Sequence, residues 1–205
     1  MRTAPSLALQ GSLLGHGRPA IQSEALPERL QLDPTSWVEV SRGWLTGADT
    51  LFDELRAAVP WTQPRRRMYG RDIDDPRLSH WYRPGAPLPH PMLAEFRDEL
   101  ASRFDVDFRA LGLNYYRNGA DSVAFHADRE LRRLDLTIVA IVTLGAARSF
   151  LLRPKGGGRS IDLRPGSGDL LVMGGACQRH WEHAVPKLAH AGPRISVSVR
   201  WSSPH

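Results

Sequence analysis

The sequence predicts an α+β protein whose core is a jelly roll, or double-stranded β-helix, preceded by N-terminal helices. Two patterns predict this fold: apolar residues recur every three or four positions before residue 110, whereas short extended segments between Gly, Pro and Asn turns follow it. The chain has 205 residues, is 41% hydrophobic and has no apolar run near 18 residues. We therefore expect one soluble globular core with an appended subdomain and no membrane span.

Two helices are predicted before residue 110. The apolar positions of the first have helical spacing and end before a proline: Leu45, Leu51, Phe52, Leu55 and Val59. Those of the second follow Pro91, which suits the start of a helix: Met92, Leu93, Phe96, Leu100 and Phe104. Prolines and glycines interrupt residues 61–91 repeatedly, which favours hairpins and loops there.

Eight extended segments follow. They cover residues 108–116, 122–127, 134–144, 149–152, 160–163, 169–173, 180–185 and 194–201. Eight short strands at this spacing are typical of a jelly roll. The segment 134–144 is almost wholly apolar, as expected of a strand that is buried on both faces.

The last predicted strand alternates between polar and apolar residues. Its polar positions share one face: Arg194, Ser196, Ser198 and Arg200. If the apolar face packs in the core, the polar face lines a cavity. The two arginines are separated by roughly 20 Å of strand, so a dicarboxylate with a charge at each end would suit them. Two unrelated surface ion pairs are the alternative.

The sequence also contains a potential metal site, upstream of this predicted strand. His126 and Asp128 leave the same face of the chain if residues 125–128 are extended, and His183 lies further along. Two imidazoles and one carboxylate hold non-haem Fe(II) on one side and leave other positions open for oxygen chemistry. An isolated His-x-Asp pair would more simply be a solvated turn. His180 is a rival third ligand, but a strand would place it on the opposite face from His183.

The charge balance is basic, with 27 Lys and Arg against 22 Asp and Glu. Arginine predominates and is concentrated at residues 65–67 and in the loop 153–159, which indicates either a footprint for a phosphate backbone or solvated surface runs. The single Cys177 fits a reducing compartment, so we expect a cytoplasmic protein. Residues 1–20 show no secretory signal and are expected to be disordered or loosely docked.

The ordered motifs carry a family resemblance. They are Asn114-x-Tyr116, His126-x-Asp128-x-Glu130, Gly168-Asp169-Leu170, His183-x-Val185-Pro186-Lys187 and Arg194-x5-Arg200. Together they resemble the AlkB family of Fe(II)- and 2-oxoglutarate-dependent dioxygenases over residues 111–201. Weaker support comes from Pro64-Arg65 and Tyr69-Gly70 upstream.

The resemblance implies a role for each matching residue. The iron ligands would be His126, Asp128 and His183. The 2-oxoglutarate contacts would be Asn114, Tyr116, Arg194, Ser196 and Arg200, with Ser196 standing where many relatives have Asn. The substrate contacts would be Trp61, Arg65, Tyr69, Trp81, Tyr82, Glu130 and Arg153, with Glu130 facing the exocyclic amine of the base.

The resemblance also divides the chain and implies a function. Residues 1–44 would be a partly irregular N-terminal extension, residues 45–110 the helices and a nucleotide-recognition lid, and residues 111–205 the jelly-roll catalytic core. The implied activity is oxidative removal of N-alkyl groups from bases in DNA, or also RNA, by a monomer. The alternatives are a hydroxylase or demethylase of a protein or small molecule, and a non-catalytic nucleic-acid-binding module.

Overall fold

The computed structural model describes residues 15–68 and 70–203. The helices are α1 (Ala48–Ala58), α2 (Met92–Phe104) and α3 (Cys177–His180). In chain order the strands are β1 (Ala20–Ile21), β2 (Glu28–Asp33), β3 (Ser36–Ser41), β4 (Leu45–Thr46), β5 (Arg65–Met68), β6 (Arg71–Asp74), β7 (Leu78–Tyr82), β8 (Ala110–Tyr116), β9 (Val123–His126), β10 (Thr137–Gly145), β11 (Leu151–Pro154), β12 (Ile161–Asp162), β13 (Leu170–Gly175), β14 (Trp181–Val185) and β15 (Arg194–Ser202).

Two antiparallel sheets form the core. The larger has seven strands in the order β2-β3-β13-β10-β15-β8-β7, and the smaller has four in the order β12-β11-β14-β9. Short pairings of β1 with β4 and of β5 with β6 lie outside them. This arrangement confirms the predicted jelly-roll core. The two predicted helices are present as α1 and α2, and each of the eight predicted segments contains a strand.

Three strands of the large sheet, β2, β3 and β7, were not predicted. β7 lies within residues 61–91, and the expectation of hairpins and loops is wrong there, because the prolines of this stretch flank β7 and do not interrupt it. β2 and β3 lie within residues 1–44, which were expected to be partly irregular, and β3 pairs with β13 along its whole length. The buried positions of β3 include the charged residue Glu39, which is only 5% exposed. Its carboxylate forms ion pairs with Arg29 and Arg103. A buried charge disguises the apolar alternation by which a half-buried strand is recognised.

The large sheet is covered on both faces. One face packs against α1 and α2 in an apolar cluster that includes Leu55, Phe96 and Val197. The other face packs towards the small sheet in a second cluster that includes Val139 and Leu152. β10 is buried at every position because it lies at the centre of the large sheet, as its apolar sequence predicted.

The polar alternation of β15 is also confirmed. Ile195, Val197 and Val199 belong to the cluster on the helix side. The polar residues of β15 therefore face the small sheet, because successive side chains of a strand point to opposite sides. Within the described residues, no helix is long and apolar enough to cross a membrane.

Burial of side chains in the helix-side cluster should contribute strongly to the free energy of unfolding, and substitutions of two leucines test this. Leu55 of α1 is 0% exposed, whereas Leu26 is 87% exposed. We expect Leu55→Ala to lower the free energy of unfolding by about 2–5 kcal/mol because it removes a buried side chain and leaves a cavity. The matched control Leu26→Ala should change it by less than about 0.5 kcal/mol. Urea denaturation measures both, and equal effects would contradict the assigned packing.

Candidate metal and co-substrate site

The three predicted metal ligands meet between the sheets. Each of His126, Asp128 and His183 offers one ligand atom, and these atoms lie within 4.8 Å of one another. β9 and β14 pair so that His126 is directly opposite His183, with 4.3 Å between the ring centroids. Asp128 follows the end of β9, and one of its carboxylate oxygens lies 3.9 Å from Nε2 of His126. The sequence prediction of a shared site is thus supported by geometry.

A β-bulge in β9 places His126 at this position. His126 pairs with His183 and Val123 pairs with Val185, so three steps along β9 match two along β14. In a regular strand, Val123 and His126 would point to opposite faces. The extra residue in the bulge brings both side chains to the same face. Val123 packs in the cluster between the sheets, and His126 lies beside His183. The sequence predicts regular extension here, and the bulge is a departure from that expectation.

The neighbours of His126 and Asp128 hold both side chains in place. Nδ1 of His126 lies 2.9 Å from the carbonyl of Ala124, so protonated Nδ1 donates to that oxygen and leaves Nε2 free for a metal. Asp128 lies in a tight turn rather than a strand, because its carbonyl accepts hydrogen bonds from the N–H groups of Leu131 and Arg132. Its own N–H donates to the side chain of Gln178 over 2.8 Å.

His183 is held as a neutral imidazole. Its ring is stacked against Phe150, with centroids 5.3 Å apart and planes 10° from parallel. Burial, and then the charges of His126, Arg200 and Arg77, lower the pKa of His183 well below its usual value. A neutral ring offers a lone pair to a metal at neutral pH. The rival His180 ends α3 instead, with Nδ1 3.9 Å from a carboxylate oxygen of Asp33.

Arg194 is a buried cation that lacks full compensation. It is 0% exposed and donates one hydrogen bond, over 3.2 Å, to the hydroxyl of Thr143. Its Nε and Nη1 atoms have no hydrogen-bond partner among the described residues. Burial lowers the pKa of Arg194 to about 10, against the opposite influence of Tyr116, while Arg148 lowers it further. Such a guanidinium is costly alone and is the natural partner of a carboxylate.

Three other predicted co-substrate residues occupy the same end of the β15–β8 ladder as Arg194. Arg194 is paired in register with Tyr116, and Ser196 with Asn114, across the β15–β8 ladder. Tyr116 is buried, and burial raises the pKa of its phenol, so that it remains a hydrogen-bond donor. The structure therefore groups one cation and several neutral polar side chains on one inward face, a suitable environment for a carboxylate.

Arg200 joins this face to the metal ligands. Its Nε lies 2.9 Å from a carboxylate oxygen of Asp128, and its Nη1 donates to Glu130 over 2.9 Å. The same guanidinium stacks over the indole of Trp81, 4.4 Å from the ring centroid. Arg200 thus brings together a predicted metal ligand and two predicted substrate residues.

The predicted lid aromatics are separated by strand alternation. Trp81 lies opposite Gly112, where a Cβ atom would come within 2.6 Å of the indole, and it is 44% exposed. Its neighbour Tyr82 points to the other face and is buried in the helix-side cluster. Trp61 packs at 5.3 Å from Tyr115 on that same side and donates to a backbone carbonyl of α1. The structure brings Trp81 to the site, but not Tyr82 or Trp61.

The remaining predicted substrate residues lie outside the ligand cluster. Arg65 is exposed on the β5–β6 hairpin, where it forms a 2.7 Å ion pair with Asp74. Arg153 stacks over Phe125, one of the bulge residues, at 3.6 Å and forms an ion pair with Glu182 over 2.6 Å. Arg153 therefore stabilises the bulge from the outside of the small sheet. Tyr69 lies outside the described residues.

Two arginines at the site were missed by the sequence analysis. Arg148 is 1% exposed and donates to the carbonyls of Asn118, Asp121 and Pro186 over 2.7–3.0 Å. It therefore ties the loop after β8 to the loop after β14. Arg77 donates from Nε to the side-chain oxygen of Asn114 over 2.9 Å. No pattern in the sequence marks either residue, since each stands alone in a turn.

Curated relatives resemble this chain over most of its length. It is 32% identical over 180 residues to the alpha-ketoglutarate-dependent dioxygenase alkB homolog 3 of Bos taurus, covering 76% of this chain and 62% of that protein. It is 32% identical over 195 residues to the DNA oxidative demethylase ALKBH2 of Arabidopsis thaliana, covering 74% and 61%. These relatives confirm the resemblance to AlkB proteins. The chain spans about three-fifths of their length.

Solved structures support the same fold. A 2OG-Fe(II) oxygenase family oxidoreductase from Burkholderia pseudomallei matches with a TM-score of 0.53 and 18% identity, covering 75% of this chain and 78% of that one. A prolyl-4-hydroxylase from Pseudomonas putida matches with a TM-score of 0.55 and 15% identity, covering 80% and 92%. At such identities the likeness shows the fold alone. The model of the 2OG-Fe(II) oxygenase superfamily matches residues 40–200, and the chain therefore belongs to this superfamily.

Proposed function

We propose that this protein is an Fe(II)- and 2-oxoglutarate-dependent dioxygenase that removes alkyl groups from the bases of nucleic acids. The observation that carries the proposal is the combination of His126, Asp128 and His183 at the small sheet with the incompletely paired, fully buried Arg194 on the facing side of the large sheet. The first three offer a ligand set for non-haem iron. The fourth offers a charge for a carboxylate co-substrate.

Different side chains would bind the metal and 2-oxoglutarate. His126, Asp128 and His183 would hold the metal and leave its remaining positions open. Arg194, Tyr116, Asn114 and Ser196 would bind one carboxylate of 2-oxoglutarate, and Arg200 would stand near the metal-proximal carboxylate. Bound together, the metal and 2-oxoglutarate activate O2 to oxidise an alkyl carbon, giving succinate, CO2 and an aldehyde.

The protein itself contributes orientation and protection from water. Arg200 holds the Asp128 carboxylate through a 2.9 Å contact, which limits the directions that the carboxylate can adopt. The side chain of Gln178 accepts a hydrogen bond from the backbone N–H of Asp128 and so fixes the backbone at that residue. Phe150 covers one face of His183 and excludes water there. Such rigid support is what an iron site needs to control which positions remain open.

Nucleic-acid bases are the proposed substrates because of the residues at the mouth of the site. Trp81 is exposed beside Arg200, and an indole next to a cation is a stacking platform for a base. Glu130 accepts a hydrogen bond from Arg200 and remains more than half exposed, so it can also accept one from an exocyclic amine. The net charge of +5 favours a polyanion over a neutral substrate. The names of the AlkB relatives agree with this class.

The ligand assignment predicts a contrast between two histidines. His183→Ala should weaken Mn(II) binding by more than about 100-fold, because it removes one of three metal ligands. His180→Ala is the matched control and should leave Mn(II) binding unchanged, since His180 contacts the β2–β3 turn instead. Isothermal titration calorimetry at pH 7.5 measures both affinities. Loss of binding in the His180 variant alone would overturn the assignment.

The substrate assignment predicts product formation from a damaged oligonucleotide. With Fe(II) and 2-oxoglutarate, the protein should release formaldehyde from single-stranded DNA that contains 1-methyladenine, and His183→Ala should abolish the release. Formaldehyde and succinate should form in equal amounts. Succinate formation that is stimulated by a peptide or a free nucleoside, but not by the oligonucleotide, would contradict a nucleic-acid substrate.

The stacking platform predicts a contrast between two tryptophans. Trp81→Ala should raise KM for the methylated oligonucleotide by about 5-fold to 100-fold, since stacking on one base contributes about 1–3 kcal/mol. Trp61→Ala should leave this KM unchanged, although it lowers stability by removing a contact with Tyr115. Steady-state formaldehyde release measures both values. A larger rise in KM for the Trp61 variant would place the base on the helix side.

A further inference from the structure

We propose that Arg77 is a positioning residue that turns the side-chain amide of Asn114 so that its NH2 group donates to 2-oxoglutarate. The inference rests on the proposed function and adds a residue to the co-substrate site. Arg77 immediately precedes β7, the edge strand of the large sheet, and β7 pairs with β8, which carries Asn114. The guanidinium of Arg77 contacts the side chain of Asn114 on this neighbouring strand.

The contact decides which way the amide points. Nε of Arg77 lies 2.9 Å from Oδ1 of Asn114, and the pair is partly buried. The oxygen and nitrogen of an asparagine amide differ little in shape, but arginine has only donors and therefore requires the oxygen. With the oxygen held by Arg77, the two N–H donors of Asn114 point away from Arg77. Without Arg77, either orientation would be open to the amide.

The two N–H donors of Asn114 lie on the face of β8 that would bind the carboxylate. Asn114 is paired with Ser196 in the β8–β15 ladder, two residues from the Tyr116–Arg194 pair. Alternation puts Asn114 and Tyr116 on the same side of β8. In the reverse orientation, the amide oxygen of Asn114 would face the carboxylate and repel it. The orientation that Arg77 imposes is the one that a carboxylate requires.

The charge of Arg77 acts on the same region. It lowers the pKa of the Tyr116 phenol, against the stronger effect of burial. Arg77 therefore acts on two predicted co-substrate residues, on Asn114 through a hydrogen bond and on Tyr116 through its charge. A second cation at this point also attracts a dianion into the cavity.

The decisive experiment measures 2-oxoglutarate binding to the Mn(II)-loaded protein by isothermal titration calorimetry, without turnover. Arg77→Ala should raise the dissociation constant about tenfold, in keeping with the loss of a charge-assisted hydrogen bond and of the orientation that it imposes. Arg77→Lys should recover part of the affinity, because lysine also has only donors. Arg97→Ala, on the exposed side of α2 where Arg97 pairs with Asp98, is the charge-matched control and should bind as the wild type does.

A double-mutant cycle separates positioning from a general loss of structure. In an Asn114→Ala background, Arg77→Ala should raise the dissociation constant by less than about twofold, because the amide that it orients is absent. An undiminished tenfold effect in that background would overturn the inference. So would a parallel loss of Mn(II) affinity and melting temperature in Arg77→Ala, which would show a structural role.

A nucleic-acid phosphate is the other anion that Arg77 could meet. In that case, Arg77→Ala would weaken binding of a methylated oligonucleotide, measured by fluorescence anisotropy, and leave 2-oxoglutarate binding unchanged. That result would overturn the positioning role while the proposed function stands. If the wild-type Mn(II) protein itself binds no 2-oxoglutarate, the proposed function fails as well, and the two failures are distinguished.

Discussion

The ion pair between Arg200 and Asp128 is the contact on which the site depends. Arg200 belongs to β15 of the large sheet, whereas Asp128 follows β9 of the small one, so the pair joins the two sheets at the candidate site. Asp128 is only 5% exposed, and a carboxylate at that depth needs a partner. Because the guanidinium also contacts Glu130 and Trp81, it sets the position of a predicted metal ligand relative to two predicted substrate residues.

Much of the fold and the ligand set could be predicted because the signals are local. The inward face of β15 follows from the alternation of Arg194 and Arg200 with apolar residues, which any strand enforces. α2 follows from apolar spacing after Pro91. The metal ligands were predicted by residue type and order, and strand parity favoured His183 over His180. The parity argument does not apply to His180, because His180 ends a helix; the structure brings His183 together with His126 and Asp128.

The features that were not predicted depend on distant partners. The bulge that turns His126 inwards is defined only by the pairing of β9 with β14. The choice of Trp81 over Tyr82 depends on which face of β7 meets the helices. The contact of Arg77 with Asn114 joins residues 37 positions apart. Each feature depends on contacts between different segments of the chain, which the residue pattern of one segment does not reveal.

The charges of the cavity explain why its parts belong together. The guanidiniums of Arg77, Arg194 and Arg200 outnumber the carboxylates of Asp128 and Glu130, and a divalent metal would increase the excess. Arg194 has no water-exposed surface on which to be solvated, so the excess is most costly at that point. A bound dianion would reduce this excess, and the buried cation would then gain charge-assisted hydrogen bonds. An anion bound at the polar face of β15 would therefore stabilise the folded protein.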